Sequence, residues 1–265
     1  MKTIDNRIKY YELLMKYDNI SNYKKYELPE GYHYEFYKPG DIEEWVMIHI
    51  ESGEFTSIEQ GKQYFHDFYD SFIDELSKRC IFIVDDKTKE KVGTATISKL
   101  KENEFEYNAA VDWVAIKKKY QGKHLSKALI SKFMEIANNE GHNKLILHTQ
   151  TTTYLACKIY LDYGFEILNK EEKVGWSILK TLTNHEKLKD YDLLPQEEIF
   201  DKRNIEIERQ LTKIYGSEEF NYSVWYKFGL HNVYTYFNGI PHEYIYFIED
   251  NKIRLEEVKN KKYNR

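Results

Sequence analysis

A chain of 265 residues can bury a sizeable core in one or two domains. With 39 Lys and Arg against 44 Asp and Glu, its net charge of −5 excludes a general attraction to nucleic acid. The two cysteines, Cys80 and Cys157, offer neither a disulfide framework nor metal-ligand spacing, and no stretch approaches the ~20 apolar residues of a membrane helix. Together with an N-terminus that lacks the apolar run of a signal peptide, these features predict a reducing, cytoplasmic home, no metal and no membrane contact.

Residues 4–17 place Ile8, Tyr11, Leu13, Leu14 and Tyr17 in a helix-like pattern, so residues 1–30 are expected to form an N-terminal helical extension. Tyr32 to Tyr37 reads as a strand, ended by Pro39-Gly40. Asp41 is a good N-cap, with Glu43 and Glu44 in the first turn of the helix that carries Trp45, Ile48 and His49. The stretch 51–57 interrupts it, and a second helix is expected from Ile58 to Lys78. Cys80–Val84 and Lys91–Ile97 read as a hairpin, and Phe105–Ile116 as the next strand. From Leu125, the residues Ala128, Leu129, Phe133, Ile136 and Ala137 continue an apolar helical stripe that Gly141 ends. Lys144–Gln150 is a further strand, and Glu166–Leu182 is expected to supply one or two closing strands.

After Thr183 the pattern changes. A polar joint leads to a helix over Glu197–Tyr215, ended by Gly216. Strands over Tyr222–Phe228, Asn232–Phe237 and Tyr244–Ile248 follow, with turns at Asn238-Gly239 and Asp250-Asn251. This segment, 183–265, reads as a small α+β subdomain, one helix on an antiparallel meander. A homodimer or another partner held through the aromatic meander is one reading of it.

Two segments carry chemistry. In Gln121-Gly122-Lys123-His124-Leu125-Ser126, between a strand and a helix, the N–H groups precede the first helical turn, where nothing inside the helix accepts from them. Such a loop attracts phosphates. The second is Thr153-Tyr-Leu-Ala-Cys-Lys-Ile-Tyr-Leu-Asp-Tyr-Gly-Phe165. Together they resemble the GNAT N-acetyltransferase superfamily. Its acetyl-CoA (acetyl-coenzyme A) loop runs Gln or Arg, two residues, Gly, one residue, Gly or Ala. Its other segment runs Asn-x-x-Ala-x-x-x-Tyr-x-x-x-Gly-Phe. Gln121, Gly122, Ala156, Tyr160, Gly164 and Phe165 fit, whereas His124 and Ser126 stand at the glycine positions and Thr153 at the Asn. A histidine has a Cβ there but tolerates positive φ better than most residues.

The resemblance covers roughly residues 31–182 and implies an α/β (α+β) fold: a GNAT-like mixed central sheet with flanking helices, followed here by the small C-terminal helix and meander. It implies acetyl transfer from acetyl-CoA to a primary amine of a small molecule, by direct attack. The backbone of Val114, Ala115 and Ile116 would hold the pantetheine arm. The amides of Gln121, Gly122, Lys123, His124, Leu125, Ser126 and Lys127 would hold the pyrophosphate, with Thr153 nearby. Tyr160 would protonate the leaving thiolate, and Asp112 would take the proton of the ammonium. Glu51 and Glu54, in the acceptor loop, are candidates to hold or deprotonate a cationic substrate, and His148 to relay a proton. Cys157 reads as a core residue and Lys117–Lys119 as a solvated turn. The competing reading is a non-catalytic acyl-CoA-binding or sensing protein.

Overall fold

The computed structural model describes residues 4–104, 107–227, 230–249 and 252–258. Its elements in chain order begin with β1 (Glu12–Asp18), β2 (Tyr32–Phe36), α1 (Ile42–Ser52), α2 (Ile58–Tyr69), α3 (Leu76–Arg79), β3 (Cys80–Asp85), β4 (Lys91–Glu104) and β5 (Tyr107–Ile116). Then come α4 (Leu125–Asn139), β6 (Lys144–Gln150), α5 (Tyr154–Tyr163), β7 (Glu166–Ile167) and α6 (Lys173–Thr183). The C-terminal elements are α7 (Gln196–Ile199), α8 (Lys202–Tyr215), β8 (Asn221–Lys227), β9 (Leu230–Phe237), β10 (Ile240–Glu249) and β11 (Lys252–Glu257). Phe105, Phe228 and the Asp250-Asn251 turn of the sequence reading lie outside the described residues.

A mixed seven-stranded sheet, ordered β2-β3-β4-β5-β6-β1-β7, makes the main domain. The apolar run Cys80–Val84 is buried on both faces because helices cover both. Ile81 and Ile83 join Val111, Leu147, Leu129, Phe133 and Tyr160 in the core beneath α4 and α5. Cys80, Phe82 and Val84 face the other way, toward Trp45, Phe65 and Tyr69 of α1 and α2. A separate four-stranded sheet, β11-β10-β9-β8, packs with α8 around Ile207, Leu211, Tyr222, Val233 and Tyr244.

One pairing shapes the site. β5 and β6 are parallel and register only at Ala110↔Ile146 and Val111↔Leu147, after which they part. On the other side of β5, Thr96 faces Asp112 and Thr94 faces Ala115, so Trp113 and Val114 together oppose Ala95. That bulge turns β5 away just where it leaves β6.

The N-terminal helix expected over residues 4–17 is instead strand β1, with Leu13, Leu14 and Met15 all buried. It runs antiparallel to β6 from Glu12↔Gln150 to Asp18↔Lys144. Apolar residues at 8, 11, 13, 14 and 17 suit either period, and a free sheet edge decided between them. Residues 166–182 are not two strands either: β7 is two residues long and the rest becomes α6. Glu172 caps α6 by accepting from the Gly175 N–H at 3.2 Å, and α6 buries Trp176, Ile178 and Leu179. The helix expected over 58–78 breaks near Phe72, whose φ is −147°. The helix expected over 197–215 breaks at Phe200, which bridges to Ile8. The meander has four strands, and its Asn238-Gly239 turn has φ values of 50° and 81°, as a type I′ hairpin requires.

Gly175 sets how closely α6 approaches β1. A Cβ there would stand 2.9 Å from both Tyr11 Cβ and Leu13 Cδ2. Replacing Gly175 with Val should destabilise the protein by about 1–3 kcal/mol through overpacking, despite the better helix former. Thermal denaturation checks this: an unchanged midpoint would mean that β1 and α6 can separate freely.

Candidate active site

The site lies where β5 and β6 diverge. Beyond Val111 the edge of β5 that faced β6 has no ladder partner from that strand, and it carries Val114, Ala115 and Ile116. An extended ligand rich in amide groups fits such an edge. The chain then turns through residues 117–124. Gln121 Nε2 donates to Ile116 O at 3.0 Å, which folds the side chain back over the strand end. Gly122 has φ 75° with open space around it. His124 has φ 62° and is the N-cap of α4, with no side-chain cap bond. Histidine thus adopts the left-handed conformation itself, at a cost of roughly 1–2 kcal/mol. The first-turn N–H groups of Leu125, Ser126 and Lys127 have no acceptors within α4. Lys123 and Lys127 lean on the rings of Tyr120 (4.5 Å) and Tyr26 (5.3 Å). The residues expected to hold coenzyme A therefore form one continuous track from β5 to α4.

Lys117 departs from the expected solvated turn. It is buried, and its Nζ pairs with Glu90 at 2.7 Å and Glu51 at 3.0 Å. Glu51 is thereby engaged in an ion pair that ties the end of α1 to the end of β5.

Tyr160 of α5 is buried beneath the diverging strands. Burial raises its phenol far above its ordinary range, and the charges of Cys157 and Glu54 raise it further, so it stays protonated. Cys157 lies against Thr149 Oγ1 (3.3 Å) and donates to Gln150 O (3.4 Å), its thiol pushed up to about 11 by burial. Thr153 donates to Gln150 O at 2.9 Å and so fixes the turn into α5.

The carboxylate whose field reaches Tyr160 is Glu54, in the loop between α1 and α2. Its backbone N–H donates to His49 O at 2.8 Å. Desolvation pushes its carboxyl up to about 7. The Tyr10 phenol, largely exposed, is raised by partial desolvation and then by the charges of Glu12 and Glu54. Glu12 accepts from or pairs with His148 Nδ1 at 2.9 Å, on the exposed end of β6. Asp112 is half-buried opposite Thr96, with its charge felt by the buried phenol of Tyr69 on α2. The charge of Glu54 thus bears on Tyr160, whereas that of Asp112 bears on Tyr69 in the α1–α2 wall.

That wall is aromatic. Trp113, with φ 51°, is wedged among Trp45 (5.4 Å), His49 (5.4 Å), Phe55 (5.5 Å), Tyr64 (5.7 Å) and Phe68 (5.8 Å). A bulky residue in that conformation persists only where its surroundings over-determine it. His49, read from sequence merely as a helix position, is 1% exposed, and neither ring nitrogen has a hydrogen-bond partner. Burial pulls its pKa down to about 3.

Residues 45–165 match the model of the Acetyltransferase (GNAT) family. A GCN5-related N-acetyltransferase from Sphaerobacter thermophilus is similar in structure, with 14% identity and a TM-score of 0.50 over 62% of this chain and 50% of that one. Two others are a tandem GNAT protein from the clavulanic acid biosynthesis pathway (15% identity, 62% and 52% coverage, TM-score 0.47) and a GNAT-family acetyltransferase from Colwellia psychrerythraea (13%, 61% and 55%, 0.46). This chain covers about half the length of these solved chains, 50–55%. Comparison with curated proteins gives no match. The chain carries a GNAT acetyltransferase domain, matched over residues 45–165 of the main sheet and its helices. Among the described residues no helix is long and apolar enough to cross a membrane.

The buried His49 makes stability depend on pH. Unfolded, it takes a proton below about 6.5; folded, it does so only near 3. Its stabilising effect is therefore full above 6.5 and falls by about 2 kcal/mol by pH 5. Chemical denaturation at pH 7.5 and 5.0 should show this loss, and His49→Phe, which keeps the ring without the proton site, should remove most of it. Equal losses in both proteins would assign the effect to other groups.

Proposed function

We propose that the protein is an acetyl-CoA-dependent N-acetyltransferase acting on a primary amine of a small molecule, by direct attack in a ternary complex. One observation carries this reading: Tyr160, packed with Val111 and Leu147 where β5 leaves β6, is kept protonated by burial and feels the charge of Glu54, a carboxyl that burial raises to about 7. Two titratable groups whose pKa values their environments keep apart, one near neutrality and one far above it, are suited to base and acid roles.

In this reading Val114, Ala115 and Ile116 hold the arm of the co-substrate with their backbone groups, and the amides of residues 121–127 hold its phosphates. When bound, the co-substrate supplies a thioester acetyl group. Glu54 takes the proton that an ammonium must lose before its nitrogen can attack. Tyr160 gives its proton to the departing sulfur. In this reading a backbone N–H at the bulge, such as that of Val114, donates to the developing oxyanion. Asp112 is the other candidate base. We assign that role to Glu54 because its field reaches Tyr160, and the field of Asp112 reaches Tyr69.

Kinetics with an amine panel test the assignment. Tyr160→Phe and Glu54→Gln should each lower kcat/KM by about 10²–10⁴. Glu54→Gln should also abolish the limb of the pH profile near 7, where activity rises as the carboxyl deprotonates, while Asp112→Asn leaves that limb in place. Loss of the limb in Asp112→Asn instead would transfer the base role to Asp112.

The competing non-catalytic reading rests on the substitutions at His124, Ser126 and Thr153. Thermal denaturation separates binding from turnover. At 100 times Kd, acetyl-CoA should stabilise the folded protein by about 2.7 kcal/mol. A clear rise in Tm without acetyl release to any amine would favour the sensor. No rise at millimolar acetyl-CoA would remove both readings.

A further inference from the structure

The C-terminal sheet and α8 lie outside the matched family segment, and acetyl transfer as described needs none of their residues. Their attachments nevertheless converge on one side of the cleft. Asn221, the first residue of β8, donates from Nδ2 to Ile50 O at 2.6 Å and to Phe55 O at 3.2 Å. These carbonyls stand at the two ends of the reversal that joins α1 to α2. Gly53, with φ 104°, makes that reversal, and Asn221 Oδ1 lies 3.6 Å from where a Gly53 Cβ would be. One amide side chain therefore spans the short loop that carries Glu54. Tyr236 of β9 packs on the same aromatic layer as Phe55 and Trp113. Its phenol feels the charges of Glu51 and Glu59.

A second set of bonds reaches the N-terminal segment before β1. Asn6 Nδ2 donates to Tyr222 O at 2.5 Å, and Asn204 Nδ2 to Asn6 O at 2.7 Å. Asp201 N donates to Arg7 O at 2.7 Å, and Lys9 N to Ile199 O at 2.9 Å. This segment runs directly into Tyr10, whose phenol feels the charge of Glu54, and Glu12, which pairs with His148. The core that supports the cofactor track, beneath α4 and α5, contains no described residue beyond Tyr191.

We infer that the C-terminal module is a brace for the acceptor side of the cleft, and that Asn221 is its positioning residue, acting through the loop that carries Glu54 and Phe55. The kinetic part of this inference rests on the acetyltransferase reading; the structural part does not. An amide suits the position because its two N–H groups can serve two carbonyls at once. Alanine removes the Asn221 bond from both, leaving Ile50 O only the Gly53 N–H at 3.0 Å, and aspartate sets a carboxylate against them.

Full-length wild type, Asn221→Ala and Asn221→Asp are compared, with Asn221→Ser replacing any variant that does not fold. Hydrogen–deuterium exchange should accelerate at least tenfold over residues 51–57 and stay unchanged over 125–139. In steady-state kinetics the acceptor KM should rise at least tenfold and that of acetyl-CoA by less than twofold. The pH limb near 7 should move down as Glu54 becomes hydrated, a change that a merely structural role would not produce. Unchanged exchange over 51–57, or equal rises in both KM values, would overturn the brace. If wild type acetylates no amine in the panel, the acetyltransferase reading falls, and the exchange data alone decide for or against the brace.

Discussion

The rest of the structure depends on the parting of β5 from β6 after Val111. Parallel strands that stayed paired would bury their edges in a continuous ladder and leave no room for a ligand between them. Here the bulge at Trp113 and Val114 bends β5 against β4, so the strand keeps one neighbour while it gives up the other. The bend is held from the side by rings. Trp113 cannot relax its left-handed backbone without withdrawing from Trp45, His49 and Phe55. The aromatic wall of α1 and α2 is therefore part of what keeps the cleft open.

Desolvation does the electrostatic tuning. Burial disfavours the charged form of whatever it encloses. It keeps the Tyr160 phenol protonated, raises the Glu54 carboxyl to about 7, and holds His49 neutral. The strong ion pairs lie elsewhere. Lys117 pairs with Glu51 and Glu90, fastening the end of α1 to the end of β5 and leaving Glu54 as the loop carboxyl outside that ion pair. Two glutamates three positions apart thus have different surroundings, one in a buried ion pair and one desolvated outside it. Spacing does not distinguish them; their surroundings do.

What could be read in advance follows from how local each signal is. The turn at 121–126, the α4 stripe and the α5 segment were legible because helix starts and helix packing need particular residues at fixed intervals. The hairpin at Asn238-Gly239 was legible for the same reason. Strand β1 was not, because Leu13-Leu14-Met15 fits a helix or a strand buried on both faces, and only the sheet it enters decides. The mistaken closing strands over 166–182 are the other half of that error: the place beside β6 was already filled from the other end of the chain. Glu54 was visible as an acid in a loop, but its desolvation comes from elements far away in sequence. The burial of Lys117 has the same origin.

The insertion of β1 also has a mechanical consequence. It lies between β6 and β7, so the strand that completes the sheet beside the cleft arrives from the N-terminal segment. That segment is the one bonded by Asn204, Asp201 and Ile199 of the C-terminal module. The N-terminal segment and the C-terminal module are thereby joined just ahead of β1. A loop closed in this way can keep a half-buried carboxyl such as Glu54 poorly hydrated without covering the cofactor track. The added module and the displaced strand are then two parts of one arrangement: the first holds the segment that the second brings to the cleft.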